Sequence, residues 1–551
     1  MRLNPKWGWF LAFTAFFAVL AGYVFWDCWA TNVTFIAPDD GVSCLTAYGD
    51  ILTRWWNEFL TTGRMLPTDA LWSGLVGSPL FCRELKYVVA VYFAALGMAY
   101  FLRGRGLSCL ASYGAGLLLA FCGYWFTLFS AGHGGWFVWM TYGVFAFGLV
   151  DRALVGGCVR HWLLLGLTVA WGSFHQPDLW LLFTVFTGAY FAFRAVMVRP
   201  AWKRLAVGVA LAAAAFALVG APSVYQAFTG ALAGRNAQIE ESKGSALTGG
   251  ETDDADARWI FVTNWSLPPS ESAEFFCSRL NGDTSCPLTL SVNRMRGTKP
   301  YTGALGRPYK AKEGNYRQHS LYVGWVTCLL ALLGVAARQN RSTTAFFAVA
   351  AVVFWLFSLG RYFEPAYRLI FMLPFGDSIR APVKWHHLTE FCICVLAGFG
   401  IAALGRWIDA FAAWAGDNGV AKSFRCALVA LVAFGAVDLA VEARRFCAPV
   451  DYSRAVRAKC SSRLTVLTRQ QFSNPQVAEM VRRGQIVSVA SWLGDPNSYL
   501  VQLLEPLKPT KPAEPNPLPL TLGIVSVLSA LAIVAMCFSR LSLVRVVEAK
   551  E

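Results

Sequence analysis

Long apolar stretches recur along nearly the whole chain, and they constrain its fold more than any other feature. Each is long enough, or nearly so, to cross a hydrocarbon core of about 30 Å as a helix rising about 1.5 Å per residue. With 56% hydrophobic residues and a mean hydropathy of +0.46, the chain lies outside the range of ordinary soluble proteins. The sequence predicts an all-α polytopic membrane protein with about twelve transmembrane helices, at 7–29, 86–103, 108–130, 135–150, 161–175, 179–197, 204–222, 320–337, 344–360, 386–405, 426–443 and 518–538.

Basic residues predict the orientation of these helices. Arg2 and Lys6 precede the first span, and clusters of Arg and Lys follow every second span. The positive-inside rule therefore places both termini in the cytoplasm. Because topology explains much of the net charge of +15, this charge indicates no nucleic-acid partner. Attraction to the head groups of anionic membrane lipids is a secondary effect of the same residues.

The predicted outer segments divide the chain into three parts. Residues 1–443 form a transmembrane body that includes the outer loops 30–85 and 223–318, with Pro222 marking the start of the second loop. Residues 444–517 form an extracytoplasmic segment of mixed structure, in which Ile486–Val489 alternates as a strand would. Residues 518–551 form the last transmembrane helix and a cytoplasmic tail. The short inner loops leave no room for a nucleotide-binding domain, so we expect no nucleotide cofactor.

Cysteines in the outer segments have spacings that suit local disulfides in an oxidising compartment. Cysteines inside the spans are instead expected to pack as small apolar residues. The pairs predicted from spacing are Cys277–Cys286 and Cys447–Cys460, with Cys44–Cys82 as a further alternative.

Two adjacent carboxylates, Asp39 and Asp40, follow the outer end of the first span. An enzyme that acts on membrane-bound substrates needs a general base or a metal ligand at such a position. A solvated turn, favoured by Pro38 and Gly41, is the alternative interpretation. The pair is therefore a candidate catalytic site, with Asp40 preferred over Asp39, and a candidate site for a divalent cation.

Other polar residues gather at the predicted outer ends of the spans. Arg380, Lys384 and Trp385 directly precede one span; a guanidinium there can hold phosphate oxygens bidentately, and an ammonium can add a point charge. The alternative is that both cations snorkel to lipid phosphates. Interfacial hydrogen bonding is likewise the alternative for the histidines. The remaining residues at this face are His133, His175, His319, His386, His387, Asp178 and Arg361.

Several short motifs follow one another in order between about residue 30 and residue 405. The first outer loop contains the acidic pair, an amphipathic stretch at Ile51–Leu60, and Gly63-Arg64-Met65-Leu66-Pro67. In these motifs, in the later ones given below and in their common order, the chain resembles YfhO-type bacterial membrane proteins, which belong with the GT-C superfamily of polytopic glycosyltransferases. Family patterns more often have a Gly-His-Pro run where this chain has Phe174-His175-Gln176-Pro177. The later motifs are Gly77-Ser78-Pro79-Leu80-Phe81, Ala131-Gly132-His133, Phe174-His175-Gln176-Pro177, Gly220-Ala221-Pro222, Leu267-Pro268-Pro269, Tyr322-Val323-Gly324, Arg380-Ala381-Pro382-Val383-Lys384 and Leu396-Ala397-Gly398-Phe399-Gly400.

The resemblance implies transfer of a sugar from a polyprenyl-phosphate-linked donor to an envelope glycan, lipid or protein outside the cytoplasm. Asp40 or Asp39 would deprotonate the acceptor hydroxyl or hold a cation such as Mg²⁺ or Mn²⁺. Arg380 and Lys384 would stabilise charge on the leaving phosphate. The expected location is a bacterial cytoplasmic membrane, with the active site facing outside. The candidate substrate-binding residues are Arg380, Lys384, His133, His175, Gln176, Asp178, Arg361 and Trp385.

Two other functions fit the same sequence. A transporter or flippase of lipid-linked saccharide would need charged or helix-breaking residues deep in its spans, for which Asp438 and Glu390 are the main candidates. A non-catalytic scaffold for envelope assembly would use the long outer loops to bind partners.

Overall fold

A computed structural model provides the fold, and it is predominantly helical. Its first residues form α1, Pro5–Val24, as the apolar run after Lys6 predicts. The structure describes residues 5–26, 56, 59–63, 79–126, 135–174, 177–244, 254–282, 303–304, 320–337, 340–373, 376, 379–447, 464–468, 474–477, 486–491, 498–503 and 514–539.

Every predicted span contains a helix in the structure. Nine helices in the described part of the chain are long and apolar enough to cross a membrane, so the chain is a multi-pass membrane protein. All the described α-helices after α1, including those too short to cross a membrane, are α2 (Pro79–Gly104), α3 (Cys109–Ala120), α4 (Gly135–Gly156), α5 (Val159–Ser173), α6 (Pro177–Val198), α7 (Trp202–Gly244), α8 (Asp254–Val262), α9 (Trp325–Ala336), α10 (Arg341–Ser358), α11 (Glu364–Phe371), α12 (His386–Ala415), α13 (Asn418–Cys447) and α14 (Pro517–Phe538).

Several helix boundaries differ from the sequence prediction, and three of them bear on the site. Helix α7 continues through Pro222 to Gly244, so the proline does not mark the start of the outer loop. Helix α9 begins only at Trp325, because Gly324 has a left-handed φ of 96° and ends an extended stretch. Helix α12 extends to Ala415, where Gly416 caps it with a φ of 67°.

Helix α12 lies at the centre of the transmembrane body, where α3, α9, α10 and α13 pack against it. Glycines allow the closest of these approaches. A Cβ atom on Gly334 of α9 would lie 2.1 Å from the carbonyl oxygen of Leu396, and one on Gly400 would lie 1.9 Å from that of Leu330. Small residues at such positions let membrane helices pack backbone against backbone, which makes α9 and α12 a rigid pair.

A buried ionic network joins four helices at their predicted inner ends. Asp151 of α4 accepts a hydrogen bond from Arg194 of α6 over 2.6 Å and another from Tyr190 over 3.0 Å. Arg105, directly after α2, lies 3.6 Å from the same carboxylate and donates to Thr343 of α10 over 2.6 Å. The helix ends that meet here are therefore those that the alternating topology places on one side.

Three short strands lie in the segment that was predicted to have mixed structure. They are β1 (Leu464–Thr468), β2 (Ile486–Ser491) and β3 (Ser498–Leu503). The antiparallel order is β1–β3–β2, with Leu464 opposite Gln502 and Ile486 opposite Leu503. The alternating stretch at 486–489 thus lies within β2.

The predicted disulfides receive no support from the described residues. Cys277 is an exposed free thiol, whereas Cys286, Cys460 and Cys44 lie outside the described residues. Cys447 ends α13, but its side chain is not described. Cys122 and Cys394 are buried as expected for cysteines in the spans, with 3.8 Å between their sulfur atoms.

Candidate functional site

Residues 262–267, which we call the bridging segment, hold the segment that carries Arg380. The carbonyl oxygen of Val262 accepts a hydrogen bond from the N–H of Ala381, and that of Trp265 accepts one from the N–H of Val383, both over 3.0 Å. These two backbone hydrogen bonds fix the register of the residues after Arg380 against the bridging segment. The backbone position of Arg380 is therefore set without any contact of its own long side chain.

The other end of the bridging segment holds the residues around Arg361. Ser266 Oγ accepts a hydrogen bond from the backbone N–H of Arg361 over 3.0 Å, and the N–H of Leu267 donates to the carbonyl oxygen of Ser358 over 2.8 Å. Gly360 makes this contact feasible, because it has a φ of 49° and a Cβ atom there would lie 2.1 Å from Ser266 Oγ. One short segment therefore joins the two parts of the chain that carry Arg361 and Arg380.

The Arg380 side chain is exposed. Its guanidinium carbon lies 5.4 Å from the ring centroid of Phe261, within the range of a cation–π contact. Ala381 has a left-handed φ of 63°, and Pro382 follows it at the start of a 3₁₀ turn, Pro382–Trp385. This bend turns the chain sharply into α12. The exposed guanidinium can bind phosphate oxygens without first leaving a buried ion pair.

Helix α11 adds a third arginine, Arg368, to Arg361 and Arg380. The guanidinium carbon of Arg368 lies 4.3 Å from the Trp259 ring centroid, and its Nε lies 3.2 Å from Glu364 Oε2. Tyr367 is buried and donates from its hydroxyl to the carbonyl oxygen of Ile379 over 2.8 Å. Burial raises the pKa of Tyr367, so the hydroxyl keeps its proton at neutral pH and continues to hold the residue before Arg380.

Lys384 and Trp385 differ from Arg380 in their exposure. Only 6% of Lys384 and 7% of Trp385 are accessible. The Trp385 ring packs against Phe354 and Phe357, with centroid separations of 5.7 and 5.1 Å. Trp385 therefore anchors the start of α12 in the core, and a direct contact with substrate would need access through this packing.

The first turn of α12 contains a buried polar cluster. His386, His387 and Glu390 are 0%, 2% and 0% exposed. His386 Nε2 lies 3.5 Å from Glu390 Oε1, and His387 Nδ1 lies 3.8 Å from Glu390 Oε2. Spacings of three and four residues put both rings on the same side of the helix as the carboxylate. The sequence predicts the histidines at the outer ends of the spans and Glu390 as a charge deep in a span, whereas the structure brings the three side chains together.

Several predicted site residues lie outside the described residues. They include both catalytic candidates, so their predicted meeting with Arg380 stays a prediction. Asp178 lies in the first turn of α6, but its side chain is not described. The predicted outer-face residues that lie outside the described part of the chain are Asp39, Asp40, His133, His175, Gln176 and His319.

A short piece of the first outer loop, residues 59–63, is described and shows where this loop meets the helices. The carbonyl oxygen of Leu60 accepts from the N–H of Asn516, which caps α14, over 3.0 Å. The carbonyl oxygen of Thr62 accepts from Gln226 Nε2 of α7 over 3.1 Å. The loop that carries the acidic pair is therefore attached to α7 at Gln226 and to the start of α14.

No group of three or more His, Cys, Asp or Glu side chains within the described ranges could hold a metal ion. The predicted cation ligands, Asp39 and Asp40, lie outside those ranges. Within the described residues, we call Arg361, Arg368 and Arg380 the basic surface. Backbone N–H groups hold the segments of Arg361 and Arg380 to the bridging segment, and the Tyr367 hydroxyl joins α11 to Ile379.

The bridging segment is the part of the site that sequence reasoning missed. The Leu267-Pro268-Pro269 motif at the end of this segment was noted only for its resemblance to a family pattern. The residues that the bridging segment contacts lie far along the chain. Ser266 and Arg361, for example, are 95 residues apart. The prolines were the available signal, because a proline favours an extended conformation in the residue before it; Pro268 is extended, and Pro269 begins a 3₁₀ turn, Pro269–Phe275. Comparison with known proteins adds no family to this description, since neither a protein-family model nor a curated protein matches the chain.

Proposed function

We propose that this chain is a polytopic membrane glycosyltransferase that uses a polyprenyl-phosphate-linked sugar as donor. The observation that carries the proposal is the bridging segment, which holds the segments of Arg361 and Arg380 through backbone hydrogen bonds. Fixed cations suit a leaving group that becomes more negative during the reaction, because preorganised charge needs no reorganisation in the transition state. The resemblance to GT-C glycosyltransferases points to the same chemistry.

Each group has a role in the proposed transfer. An acceptor hydroxyl oxygen attacks the anomeric carbon of the sugar, and the bond between that carbon and the phosphate oxygen breaks. The electron pair of this bond leaves with the polyprenyl phosphate, where Arg380 stabilises the added charge. Asp40, with Asp39 beside it, receives the proton of the hydroxyl. A divalent cation would be held by the same two carboxylates.

The proposed topology has twelve spans, both termini in the cytoplasm and the basic surface outside, in a bacterial cytoplasmic membrane. It is supported by the helix found in every predicted span and by the inner network around Asp151, which joins helix ends on one predicted side. An outward-facing site takes a lipid-linked donor because nucleotide sugars are cytoplasmic. The partners are therefore the lipid-linked sugar, membrane lipids and an envelope acceptor.

Reconstitution tests this function directly. The full chain, placed in liposomes with a radiolabelled polyprenyl-phosphate sugar and an envelope extract, should transfer label to a water-soluble or lipid acceptor. Arg380→Ala should lose most of this transfer. A matched control is Arg425→Ala, which removes an exposed arginine of α13 whose guanidinium pairs with Asp409 over 2.7 Å. Transfer by Arg380→Ala at the rate of the unmodified protein would contradict the role of the basic surface.

One observation favours a second function, transport of a lipid-linked saccharide. His386 and Glu390 lie fully buried in the helix at the centre of the body, and ionisable groups inside membrane helices commonly mark transport paths. The same liposomes separate the two functions. A transporter moves labelled donor between leaflets with no transfer of sugar, whereas the glycosyltransferase transfers sugar from donor already in the outer leaflet.

A further inference from the structure

The His386 and Glu390 side chains form an unusual pair in the body of the protein. Both are 0% exposed, one helical turn apart on α12, with 3.5 Å between His386 Nε2 and Glu390 Oε1. By strict geometry, neither ring nitrogen of His386 and neither carboxylate oxygen of Glu390 has a hydrogen-bond partner within the described part of the chain, although the His386 ring and the backbone N–H of Tyr124 both face the carboxylate. Buried polar atoms in native proteins nearly always have a partner, so this pair needs an explanation.

The surroundings of the pair are largely aromatic. The Phe275 ring stacks on His386 with 4.5 Å between centroids. Tyr124 lies 5.3 Å from His386 and 4.6 Å from His387, and Trp125 lies 4.9 Å from His387. Such walls exclude water and lower the local dielectric constant, which makes an isolated carboxylate very costly.

Titratable and charged groups from several neighbouring elements face the cluster. Lys384 comes from the 3₁₀ turn before α12 and Tyr124 from the stretch after α3. Cys122, whose sulfur atom lies 3.8 Å from that of Cys394, interacts electrostatically with Glu390. Cys328 comes from α9. Thiols and the phenol are neutral at ordinary pH, so Lys384 and the two imidazoles are the groups that could offset the carboxylate charge.

We propose that His386 and Glu390 form an internal proton-binding site that holds a single shared proton. The proton lies either on the imidazole, giving an imidazolium–carboxylate pair, or on Glu390, giving a neutral acid beside a neutral imidazole. Both states carry the same net charge, so the proton moves between the two groups without adding charge to the apolar surroundings. His387, 3.8 Å from the second carboxylate oxygen, is a neighbouring imidazole to which the carboxyl group can turn.

The inference does not depend on glycosyl transfer. It would give either proposed function a place to store a proton in the first turn of α12, six residues after Arg380.

Infrared difference spectroscopy of the full chain in nanodiscs, recorded during a pH titration, tests the inference. The carbonyl stretch of a protonated, buried carboxylic acid should appear in the unmodified protein and disappear in Glu390→Gln. In Glu442→Gln, which removes a carboxylate 3% exposed and 3.6 Å from Arg279 Nε, this band should remain. Removal of the imidazole in His386→Asn should displace the pH midpoint of the Glu390 band, because the partner that shares the proton is gone.

Two results would overturn the proposal. One is the absence of a buried carboxylic-acid band at every pH in the unmodified protein. The other is a Glu390 band with the same midpoint in His386→Asn as in the unmodified protein, which would show independent titration. Should Glu390→Gln fail to fold, the midpoint in His386→Asn decides the question alone, because that variant retains Glu390. His386→Gln replaces His386→Asn if the shorter side chain prevents folding.

Discussion

The backbone N–H of Arg361 donates a hydrogen bond to Ser266 Oγ over 3.0 Å, and Gly360 packs directly against the same oxygen. The Ser266 hydroxyl is buried and in turn donates to the carbonyl oxygen of Thr263 over 2.5 Å. This relationship joins the C-terminal end of α10 to the bridging segment. Because the same segment binds the residues on both sides of Pro382, disturbing it should move Arg361 and Arg380 relative to each other.

Gly360→Ala should disturb this contact. The new Cβ atom would lie 2.1 Å from Ser266 Oγ and 2.5 Å from Pro382 Cγ, on a residue with a φ of 49°. The left-handed conformation alone costs a residue with a Cβ atom about 1–2 kcal/mol, and the clash adds to this. We expect a lower midpoint of thermal unfolding and weaker binding of a polyprenyl-phosphate sugar. Gly188→Ala is the control, since nothing lies within 4 Å of its Cβ position; equal stability of the two variants would contradict the close packing.

Arg380→Ala and Arg380→Lys test the anion site. The alanine variant should bind the lipid-linked donor far more weakly than the unmodified protein. Lysine should restore only part of the affinity, because it retains the charge but lacks the bidentate fork of a guanidinium. Donor titrations in nanodiscs measure this order. Full recovery with lysine would show that Arg380 acts only as a point charge, and unchanged affinity in the alanine variant would make it a lipid contact.

Asp151→Asn tests the buried network at the predicted inner ends. The substitution leaves Arg194 and Arg105 beside a neutral side chain, and loss of one partner from a buried ion pair costs about 3–5 kcal/mol. The exposed pair of Asp409 and Arg425 offers the control, because a surface ion pair contributes only about 0–1 kcal/mol. Unfolding in denaturing detergent should therefore show a large loss for Asp151→Asn and a small one for Asp409→Asn. Similar losses would contradict the burial of the network.

Most helices could be predicted because hydropathy is a local property of the sequence. The apolar run after Lys6 is α1, and the run before Arg199 is α6. Helix ends were harder to predict, as α7 shows by continuing through Pro222 to Gly244. A proline removes one backbone donor but does not end a helix whose other hydrogen bonds persist.

The site itself could be predicted only in part. Arg380 and Lys384 could be singled out because cations on the predicted outer side depart from the positive-inside pattern, whereas Arg361 was a candidate only as a polar residue near a predicted outer end. The connection of Arg361 and Arg380 through Ser266 could not be read from one sequence, because it joins residues 95 apart. The pattern His386-His387-Leu388-Thr389-Glu390 did contain a usable signal, since residues three and four apart share a helix face.

Reporter fusions test the proposed topology. Fusions after Gly106 and after Arg341 should report the cytoplasm, and a fusion at residue 250 should report the exterior. The clusters of basic residues beside Gly106 and Arg341 predict, by the positive-inside rule, that these two sites face the cytoplasm. A reversed signal at any one site would change the number of spans that precede it.

Sugar transfer by a variant that lacks both carboxylates of the acidic pair tests the central claim most directly. The variant carries Asp39→Asn and Asp40→Asn, which retain side-chain size but remove the proton acceptor. In liposomes containing a radiolabelled polyprenyl-phosphate sugar and an envelope acceptor, we predict that the variant binds the donor normally and transfers no label. Transfer at the rate of the unmodified protein would contradict a catalytic role for the pair and would favour a transporter or a scaffold.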